Sequence, residues 1–384
     1  MNVYLDNAAT TRIAPEVLAA MVPVLQDVYG NPSSSHAEGR RARVLIEQGR
    51  RSIAAHLHCH PSCLVFTSGG TEADNLALIA AVRDLGVERI LTSPAEHSAV
   101  GKTAESLARR FPVQVEHVDH RPDGTVDLER LAGQLADGPK TLVSLMHANN
   151  EVAAMQDLAA LGALCRAHGA LLHSDTVQTM GHYRFNLSEL PIDFITCSAH
   201  KFHGPKGIGF LYVRQGLRIG GLIEGGSQER SMRGGTENLH GIVGLAAAIE
   251  SAYRDLEAHE AHIRALKQRM VDGLRARVPG VRFNAESDRE DRLYTVLNVS
   301  FPPHPHAGMA LFLLDLEGIA CSGGSACSSG ATLGSHVLRA LGYHDPGRAS
   351  LRFSFSRFTT EAEIDRALDA IERVLVRMPA VNRG

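Results

Sequence analysis

A lysine sits between two apolar runs in Ser198-Ala199-His200-Lys201-Phe202-His203-Gly204-Pro205-Lys206-Gly207. Residues 192–197 lead into it and residues 208–213 follow. An amine held between two strands loses solvation, and with it part of its preference for charge. That makes Lys201 a candidate for covalent attachment to a carbonyl. Upstream, Asp175 and Gln178 stand three residues apart after the apolar run 170–173. An acid that protonates a pyridine nitrogen, with a lysine that holds an aldehyde, is the minimum a pyridoxal phosphate (PLP) site needs. Taken alone, the pair also reads as a turn lysine and a helix-capping aspartate.

The elements around these residues give them a common address. Short apolar strands are expected at 64–67, 89–92, 113–118, 140–146, 170–173, 192–197 and 208–213, with helices between them. Strands of this kind, separated by helices, predict a parallel sheet covered on both faces. The pattern becomes long helix over 239–277. A smaller α+β part comes next, with strands at 293–300 and 350–355 and a last helix at 361–378. In such folds the chemistry lies at the carboxyl ends of the strands. Ser68-Gly69-Gly70-Thr71-Glu72 follows one strand, and its glycines and helix start suit a phosphate. Glu96-His97 follows the next strand, His147-Ala148-Asn149-Asn150-Glu151 another, then Asp175 and Gln178, and finally Ser198, His200 and Lys201. A phosphate cradle, a flat imidazole, two amides, an acid and an amine therefore converge on one rim.

Composition sets wider limits. The chain has 384 residues, 44% of them hydrophobic, which suits two domains better than one small core. The division expected is a large PLP-binding domain over 16–257 and a small α+β domain over 258–384, packed with segment 1–15. The net charge of -3 comes without a basic block, so no direct nucleic-acid contact is expected. No apolar stretch is long enough to span a bilayer, and the first residues lack a basic and apolar leader. A cytoplasmic protein is expected. The six cysteines are few for this length, which argues against a disulfide framework. The cluster His56, His58, Cys59, His60 and Cys63 matches no standard zinc spacing, and no metal is expected.

Over nearly its whole length the sequence resembles the NifS/IscS type of cysteine desulfurase, within the class V aminotransferases of PLP fold type I. The motifs that carry the resemblance are Tyr4-Leu5-Asp6-Asn7-Ala8-Ala9-Thr10-Thr11, Gly30-Asn31-Pro32-Ser33-Ser34, Thr67-Ser68-Gly69-Gly70-Thr71-Glu72, Glu96-His97 and Met146-His147-Ala148-Asn149-Asn150-Glu151. To these are added Asp175-Thr176-Val177-Gln178, Ser198-Ala199-His200-Lys201, Arg233-Gly234-Gly235-Thr236-Glu237-Asn238, Gly324-Ser325-Ala326-Cys327-Ser328-Ser329-Gly330 and Leu351-Arg352-Phe353-Ser354. The fold implied is α/β, a mainly parallel seven-stranded sheet in a large domain plus a smaller α+β domain. The resemblance implies roles. Lys201 carries PLP and moves the substrate Cα proton. Asp175 pairs with the ring nitrogen, and His97 stacks on the ring and serves in catalytic proton transfer. Asn150 and Gln178 bond its hydroxyl side. Gly70, Thr71, Ser198 and His200 hold the phosphate, with Thr236 of a partner subunit, which implies a homodimer with composite sites. Arg352, assisted by Asn31 and Asn150, binds the substrate carboxylate.

Cys327 decides which reaction is expected. Its segment, 321–334, is mostly Gly and Ser and carries no charge, so the sequence predicts poor packing and mobility. The resemblance implies that L-cysteine is the substrate, that L-alanine is released, and that Cys327 keeps the sulfur as a persulfide for an acceptor protein. Iron–sulfur cluster assembly and tRNA or other thiolation are the destinations it suggests. A selenocysteine lyase or an aminotransferase on the same fold is the alternative, and there Cys327 would be dispensable. Cys321 reads as a strand-end thiol or as a partner that resolves the persulfide into a disulfide. The chain ends soon after its last helix, without the longer extension some relatives use to dock a scaffold, which leaves docking of that kind open.

Overall fold

The computed structural model describes residues 2–305, 307–323, 335–343, 345 and 347–377. The chain opens with β1 (Val3–Tyr4), α1 (Pro15–Asp27) and α2 (Ala37–His56). Strand and helix then alternate through β2 (Leu64–Thr67), α3 (Gly70–Arg83), β3 (Arg89–Thr92), α4 (Ser98–Arg110) and β4 (Gln114–His117). Next come α5 (Leu128–Ala136), β5 (Thr141–Ser144), α6 (Leu158–Ala167), β6 (Leu171–Asp175), β7 (Phe194–Ser198) and β8 (Gly209–Val213). These strands form one seven-stranded sheet in the order β2-β8-β7-β6-β5-β3-β4. All neighbours are parallel except β8, which runs against both β2 and β7.

Side-chain alternation along the strands explains the layers. Leu64 and Phe66 of β2 pack into one apolar cluster with Val17 and Met21 of α1 and Ile46 and Ile53 of α2. Val65, between them, points into another with Leu76 of α3 and Val100 of α4. Both faces of the sheet are covered, as strands this apolar require. Reversal of β8 creates one tight spot. Gly209 pairs with Thr67 on one side and Ser198 on the other. A Cβ there would lie 2.1 Å from the Cys197 carbonyl oxygen and 2.9 Å from Gly69 Cα.

The expected helix over 239–277 is two helices, α7 (Leu239–Arg254) and α8 (Leu256–Arg277). The break falls at Asp255, whose φ of -113° and ψ of 24° are not helical. Its cause is packing. Tyr253 and Leu256 belong to the sheet's core, whereas Ile263, Leu266 and Met270 belong to a second apolar cluster. That cluster lies under a three-stranded antiparallel sheet of β9 (Arg282–Phe283), β10 (Val296–Ser300) and, after α9 (Ala310–Leu316), β11 (Ile319–Ala320) and α10 (His336–Ala340), β12 (Ser350–Ser354). The last helix, α11 (Glu361–Glu372), starts with a reciprocal Thr360–Glu363 capping box and packs on α8. Val3 and Leu5 join the second cluster, and β1 pairs with β11 in parallel.

Candidate active site

β2, β3, β5, β6 and β7 all run the same way and end on the same edge of the sheet, and β8 alone among their neighbours runs against them. Residues just past those strand ends line a cavity of about 240 Å³ with Ala8, Ala9 and Arg352. Gly70, Thr71, His97, Asn150, Asp175, Gln178, Ser198, His200, Lys201 and Arg352 all stand in its wall. Thr236 and Asn31 do not. Both are exposed in this chain, and Thr236 lies by a smaller depression with Thr67 and Ser68. Cys327 lies outside the described residues.

Lys201 ends the turn after β7. Its Nζ donates to the carbonyls of Ala8 at 2.5 Å and Ala9 at 2.9 Å. Gln178 Nε2 reaches the same Ala8 carbonyl at 3.1 Å. Asp175 closes β6, beyond the run that reads as strand from sequence, and pairs with Thr196 of β7. Its carboxylate accepts from the Val177 amide at 2.9 Å. Burial, and then the neighbouring Asp74 carboxylate, push its pKa up to about 6. His97 caps α4 through its Nδ1, 3.2 Å from the Ala99 amide. Burial lowers its pKa, although Asp175 pulls the other way. Its imidazole is therefore neutral at pH 7 and presents an uncharged face. His200 is held near 4, first by burial and then by Lys201 and Lys206.

The first turn of α3 points into the cavity's end at Gly70 and Thr71. The first amides of any α-helix have no partner inside it, and they make an anion site with the helix dipole. A Cβ at Gly70 would meet Val177 Cγ2 at 2.7 Å, so a bare backbone fills that wall. Arg352 of β12, also in the wall, is 1% exposed. One Nη donates to the Asn150 carbonyl at 2.9 Å and the other to Asp6 Oδ1 at 2.8 Å and Ser322 Oγ at 3.2 Å. Its buried Nε has no hydrogen-bond partner among the described residues.

Asp74 is a wall residue that the strand-end reasoning missed. It sits three residues after Thr71, on the same face of α3, so the spacing alone could have flagged it. It is 1% exposed, and its Oδ1 accepts no hydrogen bond from the described residues. His173 Nε2 is 3.4 Å away. Donor atoms of Asp74, His97 and Asp175 lie within 4.8 Å of one another. This acidic floor fits PLP on three counts. It offers negative charge to a pyridinium nitrogen, an amine stands across the cavity at Lys201, and a helix start waits at Gly70 for a phosphate.

Comparison with known proteins agrees. Residues 3–367 match the class-V aminotransferase family, and the chain belongs to it. Within that family it groups with the cysteine desulfurases, which depend on PLP. It is 41% identical to a cysteine desulfurase of Bradyrhizobium diazoefficiens over all of this chain and 96% of that protein. It is 37% identical to cysteine desulfurase IscS of Dictyoglomus turgidum over 99% of this chain and 96% of that one. Among solved structures, a NifS-like protein superposes with a TM-score of 0.89 at 36% identity, covering 98% of this chain and 100% of that one. A structure described as SspA in complex with cysteine gives 0.80 at 30% identity, covering 93% and 100%.

His56 pairs with Glu250, and His60 caps its own turn through Ser62. Burial drives the Cys59 and Cys321 thiols up to about 12, far from reactive. Among the described residues, no helix is long and apolar enough to cross a membrane.

Proposed function

We infer that this cavity removes sulfur from L-cysteine, leaving L-alanine and a persulfide on Cys327. One observation carries the reading: an amine, a buried acid, a neutral imidazole and a buried guanidinium line the same small cavity. Bound PLP supplies an electron sink that stabilises negative charge at the substrate Cα. Lys201 would hold the cofactor's aldehyde and carry the substrate Cα proton. Asp175 would keep the ring nitrogen protonated, and His97 would support the ring face. Asn150 and Gln178 orient the ring's hydroxyl edge, while Gly70, Thr71, Ser198 and His200 hold the phosphate. Arg352 turns its fork to the substrate carboxylate, assisted by Asn150 and Asn31.

The Cys327 thiolate then attacks the substrate sulfur. A sulfur–sulfur bond forms and the carbon–sulfur bond breaks. The electron pair goes to carbon, which takes a proton and leaves as alanine. The outer sulfur passes to an acceptor thiolate by ordinary exchange. Ser322 bonds Arg352, and His336 bonds the Glu96 carbonyl, so the chain reaches the cavity's neighbourhood on both sides of Cys327. From Ser322 to Cys327 five residues span at most about 17 Å.

Two further features belong to the same reading. A homodimer completes the site, with Thr236 crossing to the partner's phosphate. Thr236 is exposed away from its own cavity, and Leu18, Val22, Leu25, Tyr29 and Val44 leave an apolar surface uncovered on α1, α2 and the link between them. The chain divides at about residue 257, and segment 1–15 packs with the smaller part, as the burial of Val3 and Leu5 there supports. A cytoplasmic location and a role in iron–sulfur assembly or thiolation fit a persulfide donor. The test is mass spectrometry after brief exposure to L-cysteine. One added sulfur on Cys327, absent in Cys327→Ser, is expected; sulfur retained in that variant would refute the proposed carrier.

A further inference from the structure

Residues 229–231 hold an unusual backbone. Glu229, Arg230 and Ser231 have φ of 45°, 56° and 65°, three successive non-glycine residues in the left-handed region. Such conformations persist only where the surroundings over-determine them, and they cluster at functional sites. Here the surroundings are explicit. Glu229 is 5% exposed and forms a two-pronged pair with Arg50, itself 3% exposed, at 2.7 and 2.9 Å. Glu229 also accepts from the Phe66 amide at 2.9 Å. Arg50 and Arg230 both donate to the Leu64 carbonyl, at 2.8 and 2.6 Å. Three residues on, Arg233 pairs with Glu72 at 3.0 Å, and Glu72 takes the Ser68 amide at 2.8 Å. Gly234 then donates to the Ile223 carbonyl at 2.9 Å.

The segment is bolted to β2, an edge strand, and to the turn that opens α3. Covering a sheet edge needs no strained backbone and no buried ion pair. What the strain achieves is placement: the chain leaves the Arg50 clamp, passes the Arg233–Glu72 pair and delivers Thr236 to the surface. We propose that Glu229, clamped by Arg50, is a positioning residue that fixes Thr236 for the partner subunit's cofactor phosphate. The inference rests on the subunit-crossing role proposed for Thr236. It adds a consequence. Glu72 follows Thr71 of the chain's own phosphate cradle, so the segment serving one pocket is anchored to the wall of the other.

A double-mutant cycle on the PLP-loaded dimer tests this. The dissociation constant of PLP is read from the visible band of the bound cofactor for wild type, Glu229→Gln, Thr236→Val and the double variant, with dimer mass checked for each. Thr236→Val is expected to weaken binding about tenfold, the worth of one hydrogen bond to a charged group. Glu229→Gln should weaken it too, and the double variant should be no weaker than the weaker single. Losses that multiply, or wild-type affinity in Glu229→Gln, overturn the proposal and leave the composite site standing. Wild-type affinity in Thr236→Val removes the composite site and the inference with it. If Glu229→Gln does not fold, Arg233→Gln replaces it in the cycle: a non-additive loss with Thr236→Val supports the proposal, and losses that multiply overturn it.

Discussion

Replacing Asp74 by Asn should make the cofactor-free protein's stability less sensitive to pH, and the sign follows from burial. The Asp74 carboxyl is 1% exposed, and burial moves its pKa from 3.8 up to about 7; the Thr196 hydroxyl offsets part of that. Between those two values the folded protein binds a proton that the unfolded chain does not. Stability therefore falls as pH rises through that window, and it is fully reduced above about 7. A displacement of that size is worth about 4 kcal/mol, a sizeable part of what a typical domain has to spare. Asp74→Asn keeps the shape and removes the titration. In urea titrations of the cofactor-free protein, the difference between variant and wild type should shift in the variant's favour by about 4 kcal/mol between pH 4 and pH 8. Any fixed offset from the new amide cancels in that comparison. A difference that stays flat with pH would show that the folded Asp74 carboxyl titrates as it does in the unfolded chain, and would refute the upward shift.

Two other substitutions probe other parts of the cavity wall. Arg352→Lys keeps the charge and loses the fork, so KM for L-cysteine should rise about thirtyfold, with a smaller change in kcat. An equal loss in kcat at unchanged KM would remove Arg352 from substrate binding. Gly70→Ala should weaken PLP binding about tenfold, because the added methyl meets Val177, which stands between Asp175 and Gln178. Adding Val177→Ala should restore the affinity, and a double variant as weak as the single would show that the methyl acts elsewhere.

Sequence was most legible at the strand ends that line the cavity. Lys201, Asp175, His97 and the Gly70-Thr71 turn were all readable from apolar runs giving way to polar residues, because parallel strands bring their carboxyl-end loops to one sheet edge. The residues that escaped are placed by different physics. Asp74 is reached through a helix face, not a strand end. Asp6 meets Arg352 across 346 positions of chain, a pairing no local pattern encodes. The Glu229 backbone is set by a tertiary ion pair in a segment whose residues give no sign of left-handed geometry, since glycine is the usual mark of it. The helix break at Asp255 comes from the need to serve two apolar clusters, although periodicity continues across it.

The single reversed strand has a metric consequence. Neighbouring strands lie about 4.8 Å apart, so inserting β8 between β2 and β7 sets the tips of those two strands roughly two such steps apart. Gly209, pressed between Gly69 and the Cys197 carbonyl, leaves this interval no slack. One tip leads to the Gly70-Thr71 turn and the other to Lys201. The gap between them is thus gauged by backbone alone, like the jaws of a calliper, and side-chain drift elsewhere in the cavity leaves it unchanged.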